Sequence, residues 1–297
     1  MKRTPGISHI SRISGTSGAS SVALFGAMVL LAVMSASAAA VDAGPGPFGV
    51  TVTAAADAES ARVGALFPAD RVSPLAKGHY CTASVVHSPQ GDLIVTAAHC
   101  VGGDRSDLVF APGYRDGKAP YGLWKVGRRY LPDRWSQGQD EDSDVAFAVV
   151  AEQADGEGKG EGKGKEKGKE KGKEKADGEK GDGAGAGERV EAVVGANRLV
   201  TGMAIGATAV TVTGYPDSGE VPISCSNRPS AQSRTQQRIA CPGFTGGTSG
   251  SPWVDGDHEV VGVLGGHEEG GSTPDVSYSV ALGAEVAELY QDAVRGG

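Results

Sequence analysis

No apolar run in this chain is long enough to cross a bilayer as a helix. The most apolar stretch, residues 22–33 (VALFGAMVLLAV), has about a dozen residues where a span needs about twenty. No acidic residue precedes Asp42, whereas Lys2, Arg3 and Arg12 are basic, and small residues (SASAAA) follow the apolar core. That combination describes a secretory signal peptide over 1–38 with Ala36-Ser37-Ala38 as the cleavage motif. The chain also lacks an excess of positive charge. Its formal net charge is −8, and loss of three basic residues with the signal takes it to about −11. This balance weighs against nucleic acid and anionic membranes as partners, and neither is expected. Finally, there is no C-x-x-C pair for a structural zinc site. Four cysteines in an exported chain point to disulfides, with three pairings open.

One segment lacks any Val, Ile, Leu, Phe, Tyr or Trp: residues 155–188, DGEGKGEGKGKEKGKEKGKEKADGEKGDGAGAGE. Such a composition cannot bury enough apolar surface to offset the entropy of ordering. Its lysines are matched by interleaved acids, so it reads as a solvated linker and not as a basic patch. The mature chain then falls into parts at 62–154 and 189–297, preceded by residues 39–61 as a short propeptide or flexible N-terminal segment.

Both parts read as β. Short apolar or alternating runs at 83–87, 93–97, 108–111, 121–130 and 145–150 lie between Gly, Pro and Asp clusters. Runs at 198–201, 209–214, 251–254, 260–264 and 278–282 repeat the habit in the second part. Only residues 284–294 (AEVAELYQDAV) have a helical period, with Val286, Leu289, Tyr290 and Val294 on one face. The expected fold is all-β: two packed antiparallel β-barrels with a site between them, and a C-terminal helix.

Three short stretches carry chemistry. In LIVTAAHCV, His99 follows a strand-like run and stands beside Cys100; a bridge to Cys81 would hold its ring in one orientation. A general base needs that restraint and a pKa near neutrality. In QDEDSDVAFAVV, Asp144 stands at the mouth of a buried strand, where a carboxylate can orient an imidazole; Asp140 and Asp142 read as solvated loop charges. In GFTGGTSGSPW, residues 243–253, glycines bracket Ser249 so that backbone N–H groups can converge beside its hydroxyl. His79, His87 and His258 lie among polar residues without a clear partner.

TAAHC, Asp-Val-Ala-Phe and G-G-T-S-G-S-P, in that order, resemble the trypsin/chymotrypsin-like serine endopeptidases, and among them the compact bacterial secreted branch that includes glutamyl endopeptidases. The resemblance covers the chain from about Arg62 onward. It implies Ser249 as nucleophile, His99 as general base and then acid, Asp144 as orienting carboxylate, and the N–H groups of Gly247 and Ser249 as the oxyanion hole. The mechanism is the one worked out for this family. It implies protein or peptide substrates, no cofactor and no metal; a secreted, extracellular monomer is expected.

The departures matter as well. The acid that pairs with a new N-terminus in digestive members is replaced by Thr248, and no Ile-Val-Gly-Gly start is present. At the trypsin pocket base stands Gly243, which removes the ground for a Lys or Arg preference. His267, near the pocket strand, is a candidate carboxylate binder, about three residues from where glutamyl-specific relatives hold theirs. Cys225 and Cys241 would close a loop of about sixteen residues, a constraint of roughly 3 kcal/mol, so the expected pairs are Cys81–Cys100 and Cys225–Cys241. The alternative in a different class is a catalytically inactive homologue that binds peptides or proteins. N-terminal sequencing of protein recovered from the medium should find no residue before 39; a chain retaining 1–38 would remove the export assignment.

Overall fold

The computed structural model describes residues 47–72, 75–103, 107–152 and 188–296. The expected signal segment, residues 39–46 and the stretch 155–187 lie outside the described residues. The first strand, β1 (Val50–Thr53), pairs far along the chain, and the next six close on one another. These are β2 (Val63–Pro68), β3 (Cys81–Val86), β4 (Leu93–Thr96), β5 (Leu108–Pro112), β6 (Trp124–Tyr130) and β7 (Ala146–Glu152). They form an antiparallel barrel in the order β2-β3-β4-β7-β6-β5.

The two-residue period of a strand explains why LIVT and VAFAVV look uniformly apolar. Side chains alternate between faces. Ile94, Ala146, Ala148 and Val150 point into the barrel with Leu66, Phe110 and Trp124. Leu93, Val95, Val145 and Phe147 point outward, and there they meet Val260, Val263, Val280, Leu282 and Val286 from the second half. Both faces are dry, so neither face needs polar residues.

The second half comprises β8 (Arg198–Leu199), β9 (Val210–Gly214), β10 (Ile223–Asn227), β11 (Ser230–Ala231), β12 (Gln236–Ala240), β13 (Pro252–Val254), β14 (Glu259–Val263) and β15 (Val276–Val280). It is built from two sheets, β1-β10-β9-β13-β14-β8 and β11-β12-β15, with a bridge from Leu264 to Ser279. The two-residue β8 runs parallel to β14, a departure from the expected all-antiparallel pattern. The Cys225–Cys241 disulfide spans the two sheets, from within β10 to the residue after β12. Its core is Val210, Val212, Ile239, Phe244, Trp253 and Val261.

Several strands escape the apolar pattern. In β12 the side chains of Gln236 and Gln237 are buried, satisfied by hydrogen bonds: Gln237 Nε2 donates to the Val261 carbonyl at 3.0 Å and Gln236 Nε2 to that of Glu141 at 2.9 Å. The described part of residues 39–61, expected as a propeptide or flexible lead-in, contains a strand. Residues 50–53 pair with β10, Val50 opposite Ser226 through Thr53 opposite Ile223. The Gly49 N–H donates to Ala240 at 2.9 Å and the Thr51 hydroxyl to the Pro242 carbonyl. Backbone ladder bonds, not an apolar face, hold this strand, since Val50 and Val52 are exposed.

The C-terminal helix, Ala284–Gly296, matches its sequence period. Val286 and Ala293 are buried, and the Tyr290 hydroxyl donates to the His87 carbonyl at 2.7 Å. Eleven buried residues from both halves and this helix form the shared core. At roughly 1.5–3 kcal/mol for each fully buried large apolar side chain, that core can hold the halves together without a covalent connection. The second half begins fastened to the first. Arg189 donates to the Gln90 carbonyl at 2.8 Å, and Glu191 accepts from His87 Nδ1 at 2.7 Å and the Ser88 N–H at 3.2 Å. Shortening residues 156–186 to about a dozen should therefore move stability by only about 1 kcal/mol, read as the urea midpoint. A markedly less stable variant would give that stretch a structural role.

Candidate active site

Cys81 and Cys100 are bonded, which ties β3 to the one-turn helix Ala98–Val101 that carries His99. Ala97 and Ala98 are fully buried ahead of it, and residues this small let the imidazole sit against the neighbouring backbone. Asp144 lies at the mouth of β7, 1 % exposed. Its Oδ1 accepts the His99 backbone N–H at 2.9 Å and its Oδ2 lies 2.7 Å from His99 Nδ1. Oδ2 also accepts the Gly266 N–H, at 2.8 Å, from the second half. A buried carboxylate is tolerable when its lone pairs are filled in this way. Because Nδ1 donates to the carboxylate, Nε2 is left as the basic nitrogen. It has no partner among the described residues.

Ser249 sits in a loop pressed against the first barrel. Its carbonyl accepts the Thr82 N–H at 2.7 Å and lies 3.7 Å from Cys100 Sγ, next to His99 in the chain. The Thr82 hydroxyl donates to the Gly247 carbonyl and accepts the Tyr215 N–H, each at 3.0 Å, while Thr96 donates to the Thr82 carbonyl at 2.7 Å. Gly247 and Gly250 flank the serine at φ +88° and +86°. A side chain on Gly250 would run into the Thr82 carbonyl, so glycine is required by both conformation and space.

The Gly246 carbonyl is held by the Asp217 N–H at 2.7 Å. Across a trans peptide the following N–H points the opposite way, and that of Gly247 has no acceptor among the described residues. The Ser249 N–H has none either, nor does its hydroxyl. The structure thus joins His99 to Asp144 directly and brings the Ser249 loop onto the same barrel edge, but makes no bond from the Ser249 hydroxyl to the imidazole. Ser251 turns away and donates to Thr248 at 2.7 Å.

A cavity of about 360 Å³ opens beside Ser249, walled by Phe244, Leu264, Glu268 and Glu269 among others. Neither Gly243 nor His267, the two pocket candidates, lines it. Gly243 precedes the wall at Phe244. His267 lies with Nδ1 3.3 Å from Glu141 Oε2 and its ring edge-on to Tyr278. The residue three positions earlier, Leu264, is the one in the wall. A cavity of similar size, about 350 Å³, between Glu59 and Asp255 contains none of the three candidate catalytic residues.

Several positions differ from their sequence reading. Asp142 is no mere solvated charge, since Oδ1 accepts Gln236 Nε2 at 2.9 Å. Asp140 accepts the Asp142 N–H and pairs with Arg134, and these two contacts, in that order, hold its carboxyl below the usual range. His79 is buried with Nε2 3.0 Å from the Pro216 carbonyl, and His87 pairs with Glu191. Thr82, Gln236 and Gly266 were missed because nothing local to them signals a long-range contact. Thr96 stands inside the TAAHC neighbourhood, where its hydroxyl could have been suspected.

The trypsin-like peptidase domain profile matches residues 81–263. The chain belongs to the trypsin-like peptidase family. No curated protein matches it. Among solved structures it is similar to the protease Anisep from Arthrobacter nicotinovorans, at TM-score 0.61 and 24 % identity over 83 % of this chain and 100 % of that one. The serine protease AL20, described as thermostable and from an extremophilic microorganism, gives 0.61 and 23 % over 81 % and 100 %. A Glu endopeptidase gives 0.58 and 17 % over 84 % and 99 %. These likenesses establish the two-barrel fold of trypsin-like serine proteases.

In this trypsin-like peptidase the Thr82 hydroxyl is the hub between the barrel and the Ser249 loop. Thr82→Val keeps the shape and strands two buried backbone groups, so it should cost about 1–3 kcal/mol in urea unfolding. An unchanged midpoint would show that the hub carries no weight.

Proposed function

We propose that the protein is a secreted serine endopeptidase that cleaves protein or peptide substrates through an acyl-enzyme. The observation that carries this reading is the double hold of Asp144 on His99, at the backbone N–H and at Nδ1. That hold fixes the tautomer a general base requires. Nε2 takes the Ser249 proton as Oγ attacks the scissile carbonyl, and Asp144 stabilises the imidazolium that forms. The unpaired N–H groups of Gly247 and Ser249 receive the developing oxyanion, each donor contributing about 3–4 kcal/mol to lowering the barrier. The imidazolium then protonates the leaving amine. Water, activated by the same Nε2, releases the acyl group in the mirror sequence. The Ser249 hydroxyl is not yet bonded to the imidazole, and such bonds commonly tighten only when substrate binds.

Export is supported by the basic, short apolar start and by two disulfides, which persist in oxidising compartments. Among the described residues no helix is long and apolar enough to cross a membrane. A fluorophosphonate probe should label the protein at Ser249, and Asp144→Asn should lower kcat by about 10⁴-fold, the loss associated with the wrong imidazole tautomer in this family. A folded chain that never labels would make it a binding relative without catalysis.

A further inference from the structure

His79 is a buried titratable ring that the triad chemistry leaves without a role. It stands two residues before β3 and is 5 % exposed, with the rings of Phe67, Tyr114 and Tyr215 centred 5.8, 5.7 and 6.1 Å away. Its Nε2 lies 3.0 Å from the Pro216 carbonyl, and its Nδ1 has no partner among the described residues. A carbonyl oxygen only accepts, so Nε2 carries the ring proton and donates it. A phenyl ring would fill this aromatic cluster without stranding a buried nitrogen, so packing alone does not account for a histidine here.

The donated bond is the first of two that run in one direction. The Pro216 carbonyl and the Asp217 N–H belong to one planar peptide group. That N–H donates to the Gly246 carbonyl at 2.7 Å, and the Gly246 carbonyl shares a second planar group with the Gly247 N–H. The imidazole therefore holds one end of a relay of two peptides whose last donor is the unpaired N–H of Gly247. Aligned in this way each bond polarises the next, so donation to Pro216 strengthens the final N–H as well as aiming it.

The last peptide of the relay lies between two glycines, which have little preference of their own for one orientation. Gly247 is at φ +88°, and a Cβ there would lie 2.6 Å from both the Asp217 nitrogen and the Tyr215 oxygen. The 215–217 segment is thus the surface against which the Ser249 loop is set.

We infer that His79 is a positioning residue for the oxyanion hole, acting on the Gly247 N–H through the Pro216–Asp217 peptide. The inference rests on the proteolytic reading above. Losing the Nε2 donor should slow bond formation at Ser249 and leave reversible binding as it is, because the oxyanion develops only as the bond is made.

The test is the kinetics of labelling by a fluorophosphonate, whose phosphonyl oxygen takes the place of the oxyanion. Labelling is resolved into the dissociation constant of the first reversible complex and the rate constant for bond formation, and the urea midpoint is read beside them. His79→Phe should lower the rate constant about tenfold, less than the loss of about 10²–10³ that follows removal of an oxyanion donor outright. The dissociation constant should stay within about twofold. His79→Gln, which keeps an N–H donor on a side chain of similar reach, should recover the native rate to within about threefold. If His79→Phe does not fold, His79→Asn, whose amide is one carbon shorter, takes its place with the same expectations. A native rate in His79→Phe, an equal loss in His79→Gln, or a rate that merely follows the urea midpoint overturns the inference and leaves the peptidase reading intact. A folded native protein that never labels ends the peptidase reading and this inference with it.

Discussion

The buried carboxylate of Asp144 is the constraint on which the remaining geometry depends. It takes two hydrogen bonds from His99 in the first barrel and one from Gly266 in the second. A charge so deeply desolvated is costly unless every lone pair is used. That cost makes the relative placement of the two halves specific, because a small slip would take from the buried Oδ2 its second hydrogen bond. The imidazole, the pocket strand and the turn at residues 141–143 therefore come into register together, as parts of one polar arrangement.

Around that polar centre the attraction is apolar and unspecific in direction. Outward side chains of β4 and β7 meet β14, β15 and the C-terminal helix in a shared core. The two contributions divide the work: hydrophobic burial supplies adhesion, and the Asp144 and Thr82 contacts select one arrangement from those that burial would allow.

Much of this was legible in the sequence, and the limits have physical causes. His99, Asp144 and Ser249 each stand in a local pattern whose chemistry can be stated from neighbouring residues alone. The helix at residues 284–294 declares itself by period. Strands such as β12 do not, because Gln236 and Gln237 are buried through hydrogen bonds to partners distant in the chain. The lining of the cavity beside Ser249 was hidden for the same reason. Its character depends on which loop folds over the wall, so an inference from the spacing of Gly243 or His267 to the serine could not reach Glu268 and Glu269.

The shared core has one more consequence, for the lifetime of the molecule in its own company. The stretch 155–188 contains the densest run of lysines in the chain, and its small, polar composition is of the kind that proteases nick most readily. A nick there would separate the backbone carrying His99 and Asp144 from that carrying Ser249. The buried contacts between the halves would nonetheless keep the two fragments as a single particle, so a cut at this point would change the number of chains without parting the halves.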